Sequence, residues 1–147
     1  MQTYSQYFGQ SEQNIKVGTL AETEFIRLCH KEGYKVKLER NTLDWDCVVQ
    51  GKKVDVKTLK NRFGIVEKFN VNVKAEQINP GVDVFAFYFF NIKDKSFTFA
   101  GALPKPEFLK KAKLVEAGSR EKSGFVYHCD TYVVSVKDLK SLEEALR

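Results

Sequence analysis

Asn41-Thr42-Leu43-Asp44-Trp45-Asp46-Cys47-Val48-Val49-Gln50-Gly51-Lys52-Lys53-Val54-Asp55-Val56-Lys57-Thr58 is the stretch on which the fold turns. Val48, Val49, Val54 and Val56 are β-branched residues that suit a pleated strand, and Gln50-Gly51-Lys52 supplies a turn between them. The pattern predicts a β-hairpin that brings Asp46 and Asp55 together. Side chains alternate along a strand, so Asp55 and Lys57 share one face. Two carboxylates and an ammonium on one edge serve a core badly. They are well suited to holding a divalent cation against a phosphate.

Outward from the hairpin, the chain reads as alternating helices and strands. Residues 1–17 read as an N-terminal arm. Gly18-Thr19 opens a helix that runs to about Glu32, with Thr19 as its cap and Phe25, Ile26, Leu28 and Cys29 as its apolar stripe. Gly33 ends it, and residues 34–38 form a short strand. After the hairpin, residues 60–64 read as a basic loop, 69–73 as a strand, and 74–79 as a short helix stopped by Pro80-Gly81. Residues 82–90 are apolar on both faces, which predicts a central strand covered on both sides. A turn leads into a strand over 97–101. Pro104 and Pro106 start a helix that carries Phe108, Leu109, Ala112 and Leu114. A last strand covers 131–136 and a last helix 137–146. No repeat or linker interrupts the chain, so residues 1–147 are expected to form a single α/β domain, a central mixed β-sheet flanked by helices.

Composition narrows the function classes. The 147 residues suit one domain, and 43% hydrophobic content supports a packed core rather than disorder. With 24 Lys and Arg against 19 Asp and Glu the net charge is +5, compatible with a polyanionic partner. No apolar run approaches the roughly 20 residues of a membrane span, and Met1 to Gly9 lacks the basic and apolar regions of a secretory signal. Cys29, Cys47 and Cys129 cannot all pair and have no zinc-finger spacing, which points to a reducing cytoplasm. His30 and His128 stand apart from any nucleophile motif, and no glycine-rich phosphate loop is present.

Hydrolysis of a phosphodiester needs a water made nucleophilic and somewhere for negative charge to go. Asp46 and Asp55 are read as ligands of a Mg²⁺ ion, and Lys57 as the cation that orients the water or stabilises the transition state. The competing reading is a solvated hairpin whose acids and lysines face water. Glu22 lies on the apolar stripe of the first helix and points inward. Its competing reading is a capping box with Thr19. Lys52, Lys53, Lys60, Arg62 and Lys68 bunch around these acids, with Phe63 and Phe69 among them, as backbone phosphates of DNA would require.

The run from Gly18 to Val36 (Gly18-Thr19-Leu20-Ala21-Glu22 opening it, Gly33-Tyr34 near its end), followed by Asp46 and by Asp55-Val56-Lys57, resembles the PD-(D/E)xK phosphodiesterase superfamily. Within it the chain is similar to archaeal-type Holliday junction resolvases. The likeness covers roughly the N-terminal half. It implies a restriction-endonuclease-like domain and a Mg²⁺-dependent DNA endonuclease, with Mn²⁺ as a substitute, working on duplex or branched DNA in recombination or repair. It further implies a homodimer, because resolution needs two symmetric cuts. Glu22, Asp46, Asp55 and Lys57 would be catalytic, with Glu22, Asp46, Asp55 and the Val56 carbonyl on the metal. Lys74 and Gln77 would lie near the DNA. Two positions depart from the pattern: Trp45 replaces the usual proline, and Asp55 replaces the commoner Glu. Asp44 is a rival to Asp46, disfavoured because Cys47-Val48-Val49 follows Asp46 directly, and Glu24 is a rival to Glu22 further from the stripe. Two other functions stay open: a DNA-binding module on this fold without cleavage, and a structural or protein-interaction domain.

Overall fold

The computed structural model describes residues 13–39, 45–62 and 69–147. In chain order its elements are α1 (Gln13–Lys31), β1 (Val36–Leu38), β2 (Cys47–Val49), β3 (Lys52–Asn61), β4 (Asn70–Lys74), β5 (Val84–Asn91), β6 (Ser96–Pro104), α2 (Lys105–Lys111), β7 (Lys113–Val115), β8 (Thr131–Ser135) and α3 (Leu142–Leu146). The hairpin forms as expected. Gln50 and Gly51 turn the chain at φ of 50° and 76°, the left-handed pair that a two-residue type I′ connection needs. Cys47 comes to lie opposite Val54.

A five-stranded sheet runs in the order β1-β2-β3-β5-β6. The β3–β5 pair is parallel, from Val54 beside Val84 to Asn61 beside Asn91, and the other pairs are antiparallel. The sheet is therefore mixed and the fold α/β. A second sheet, β4-β8-β7, is antiparallel.

β5 explains why both of its faces are apolar. Val84, Ala86 and Tyr88 face α1 and α3, packing with Ala21, Phe25, Cys29, Leu142 and Leu146. Phe85, Phe87 and Phe89 face the other way, against Phe108 of α2 and Val71, Val73 and Val134 of the second sheet. The Phe85 and Phe108 ring centroids are 5.1 Å apart. Each fully buried phenylalanine contributes about 1.5–3 kcal/mol, so this strand is the spine of both layers. Among the described residues, no helix is long and apolar enough to cross a membrane.

Several boundaries differ from the sequence reading. Residues 13–17 belong to α1 and not to an arm. Thr19 therefore sits inside the helix, its carbonyl accepting the Thr23 hydroxyl at 3.3 Å, and it cannot cap. The helix passes through Gly18-Thr19 because Val17 and Ala21 are both buried. Gly33 does end it, at φ 88°, with the Tyr34 N–H reaching back to the Cys29 carbonyl at 2.8 Å. Lys60 and Asn61, read as loop, continue β3 because β5 pairs with them. The helix after Pro104 stops at Lys111, and Leu114 falls in β7. The last helix is broken: the Lys140 backbone exchanges two 2.9 Å hydrogen bonds with Ala102 of β6, which separates a single 3-10 turn at Val136–Asp138 from the α-helix Leu142–Leu146 behind its Ser141 cap.

Candidate active site

The site begins with a mismatch of strand lengths. β2 has 3 residues and β3 has 10, so among the described residues the β2 side of β3 has no strand paired with it after Val54. Asp46, just before β2, extends the ladder by one step. Its N–H donates to the Val54 carbonyl at 2.9 Å, and its carboxylate Oδ2 accepts the Val56 N–H at 2.7 Å. Peptide groups of alternate residues point to the same side of a strand, so the Val56 carbonyl faces this open edge beside Asp46.

Asp55 and Lys57 share a face, as alternation requires. Lys57 Nζ lies 3.0 Å from Asp55 Oδ2 and 2.9 Å from Gln77 Oε1. Gln77 ends the single 3-10 turn Ala75–Gln77 that follows β4. Asp55 is only 8% exposed, and burial raises its pKa to about 7; the Lys57 ammonium pulls against that shift and the Asp46 charge adds to it. The Asp46 carboxylate acts on Asp55 both by its charge and by hydrogen bonding, and each raises the Asp55 pKa. Two carboxylates brought together out of water repel unless a proton or a cation lies between them. With the Val56 carbonyl on the same edge, the donors are all hard oxygens, the set that Mg²⁺ prefers. The residues fit such an ion.

Glu22 is half-buried on α1 next to Ala21, and its charge acts on the Cys47 thiol together with those of Asp46 and Asp55. Yet among the described residues no group of three or more His, Cys, Asp or Glu side chains is arranged to hold an ion. A carboxylate pair is assembled; the expected trio with Glu22 is not. The rival Glu24 is tied to Arg27 at 3.1 Å, and Asp44 lies outside the described residues. The neighbouring thiols are inert. Burial raises the Cys29 pKa to about 12 and pushes Cys47 up as well.

A hollow of about 720 Å³ runs along the open edge. Val17 and Gly18 form one wall, Lys57 and Lys60 lie along β3, Asn72, Lys74 and Gln77 line it too, and Phe125 stands at its rim. Of the expected DNA contacts, Lys60, Lys74 and Gln77 thus line the hollow, Gln77 while holding Lys57. Lys52 and Lys53 start β3 at the turn and do not line it. Lys53 is committed to the fold: its N–H donates to Asp83 Oδ2 at 2.9 Å and its ammonium lies 4.4 Å from the Trp45 ring centre. Trp45 thus serves as packing for that lysine. Arg62 is exposed just past β3, and Lys68 and Phe63 lie outside the described residues.

Two residues at this hollow escaped the sequence reading. Asn72 is the polar residue between Val71 and Val73 on β4, a period-two signal visible in the sequence. Phe125 is the first aromatic after the run from Glu116 to Gly124, and it is 55% exposed. No family model, curated protein or solved structure matches this chain.

Proposed function

We propose that this protein is a divalent-cation-dependent DNA endonuclease of the PD-(D/E)xK type. The observation that carries the reading is the Asp46–Asp55 carboxyl pair at the open edge of β3, with the Lys57 ammonium clamped beside it. Asp46, Asp55 and the Val56 carbonyl hold the cation, and Glu22 adds negative charge from α1 at longer range. The bound Mg²⁺ supplies Lewis acidity and a lowered pKa for water. Lys57 orients the attacking water and stabilises charge building on the phosphate, and Gln77 keeps its ammonium aimed. Lys60 and Lys74 meet backbone phosphates along the hollow, a contact that positions DNA without reading its sequence.

The test uses duplex, flap, single-stranded and four-way-junction DNA with Mg²⁺ or Mn²⁺. Cutting should stop with EDTA and disappear in Asp55→Ala and Lys57→Ala, with DNA binding largely kept. If those variants cut like the parent, the site is elsewhere. A resolvase-like subclass also requires a homodimer, which sedimentation in solution tests. The carboxylate pair in place of a trio favours a second reading, a DNA-binding module without cleavage; binding without cutting under every metal would establish it.

A further inference from the structure

Resting on that reading of the site, we propose that a second hollow, adjoining the one that runs from Val56 and Lys57, receives an unpaired nucleobase, so that the substrate is DNA unpaired near the scissile phosphate. The second hollow is about 410 Å³. The two share Leu59, Lys60, Asn72 and Phe125 in their walls, so an occupant of one is next to an occupant of the other. Its lining is more aromatic than that of the first. Phe69, Phe125 and Tyr127 bring aromatic rings, and Asn70 and Asn72 bring amides that both donate and accept.

Phe125 is held in place and yet open. It sits on a hairpin loop tied by Glu121 N–H to the Phe125 carbonyl at 2.8 Å and by Tyr127 N–H to the Ser119 carbonyl at 2.9 Å. Its ring meets Tyr127 edge-on, at 5.1 Å and 89°, and over half of it remains in solvent. An exposed aromatic side chain beside a lysine such as Lys60 is what stacks a base in proteins that hold single-stranded DNA. Lys60, shared with the first hollow, serves the phosphate there; within the second hollow a base is favoured over a phosphate by Glu121, its carboxylate accepting the Tyr127 hydroxyl. That charge repels phosphate but accepts an exocyclic amino group. The occupant is unpaired, because a paired base shows only its edges and must leave the stack to lie on a ring.

The test is binding of the full chain in EDTA to a fully paired duplex and to the same duplex carrying an unpaired flap. The parent should prefer the flap by roughly 5- to 100-fold. Phe125→Ala should bring that preference to within about twofold of none at an unchanged melting temperature, and Phe125→Trp should keep it. An unaltered preference in Phe125→Ala, an equal loss on both DNAs, or a melting temperature lowered as by a core truncation would each overturn the proposal. Cleavage by the parent is scored separately with Mg²⁺. A parent that shows the flap preference and never cuts would keep the base site and remove the nuclease reading, whereas a parent that cuts without the preference does the reverse.

Discussion

The Asp46 carboxylate accepts the Val56 N–H at 2.7 Å, and so does the work of a strand residue that β2 lacks. Charge and hydrogen bonding at this position are separable. Asp46→Asn keeps an acceptor for Val56 and should fold with nearly the parent's stability, but it loses the anion that a metal needs. Asp46→Ala should lose about 2 kcal/mol as well, since the Val56 N–H loses its charged partner. Chemical denaturation together with a Mg²⁺-dependent cleavage assay separates the two. Equal stability in both variants would show that the hydrogen bond contributes nothing.

Asp55 should make stability depend on pH. Its folded pKa is raised, to about 7 from the ordinary 3.8, so the folded state holds this proton longer than the unfolded chain. The associated stability is fully present below the ordinary value, declines as pH climbs from there to about 7, and stays lost above. The decline is at most on the order of 4 kcal/mol. Melting curves from about pH 5 to about pH 8 should therefore fall for the parent and stay flatter for Asp55→Asn. Binding a cation displaces the proton, so Mg²⁺ should raise the parent's melting temperature more at the alkaline end, and EDTA should reverse the rise. A parent curve no steeper than the Asn variant's would place the carboxyl in water.

How much of this was readable beforehand depended on the range of the interactions. The hairpin follows from local rules, valine alternation and a turn carrying Gly51, and it delivers Asp46, Asp55 and Lys57 to one edge. β5 follows from a run too apolar to face water anywhere. The α1 start was misread because Gly18-Thr19 imitates a helix opening, while burial of Val17 and Ala21 carries the helix through. The strands β4 and β8 follow from local alternation, but β7 has 3 residues, too few to show a period, so the pairing that makes a second sheet of them carries no local signal. The break before α3 comes from Lys140 pairing with Ala102, 38 positions away, which no local pattern encodes. The same holds for Gln77 reaching Lys57.

That Gln77–Lys57 bond, 2.9 Å long, sets a further expectation. Gln77 accepts from the ammonium and does not itself neutralise charge, so Gln77→Ala leaves Lys57 charged but held on one side only, by Asp55. Turnover should fall roughly tenfold to hundredfold, the usual effect of a misaimed catalytic group, while the KM for DNA changes little. Gln77→Glu supplies a competing anion and should slow the reaction further. A KM effect without a turnover effect would make Gln77 a DNA contact instead.

Gly18 gives the last prediction, because its place in α1 and its place in the hollow pull in different directions. Helix interiors disfavour glycine by about 0.5–1 kcal/mol against alanine, and a Cβ added at Gly18 would meet nothing within 4 Å. No packing in the described residues therefore demands glycine. Gly18→Ala should stabilise the protein by about that amount and leave cleavage intact. Gly18→Trp projects an indole into the space along the open edge of β3, where the DNA strand is to lie. It should weaken DNA binding and cutting severely with a melting temperature close to the parent's. A fully active, fully folded Gly18→Trp would mean that the substrate approaches the carboxylate pair by another route.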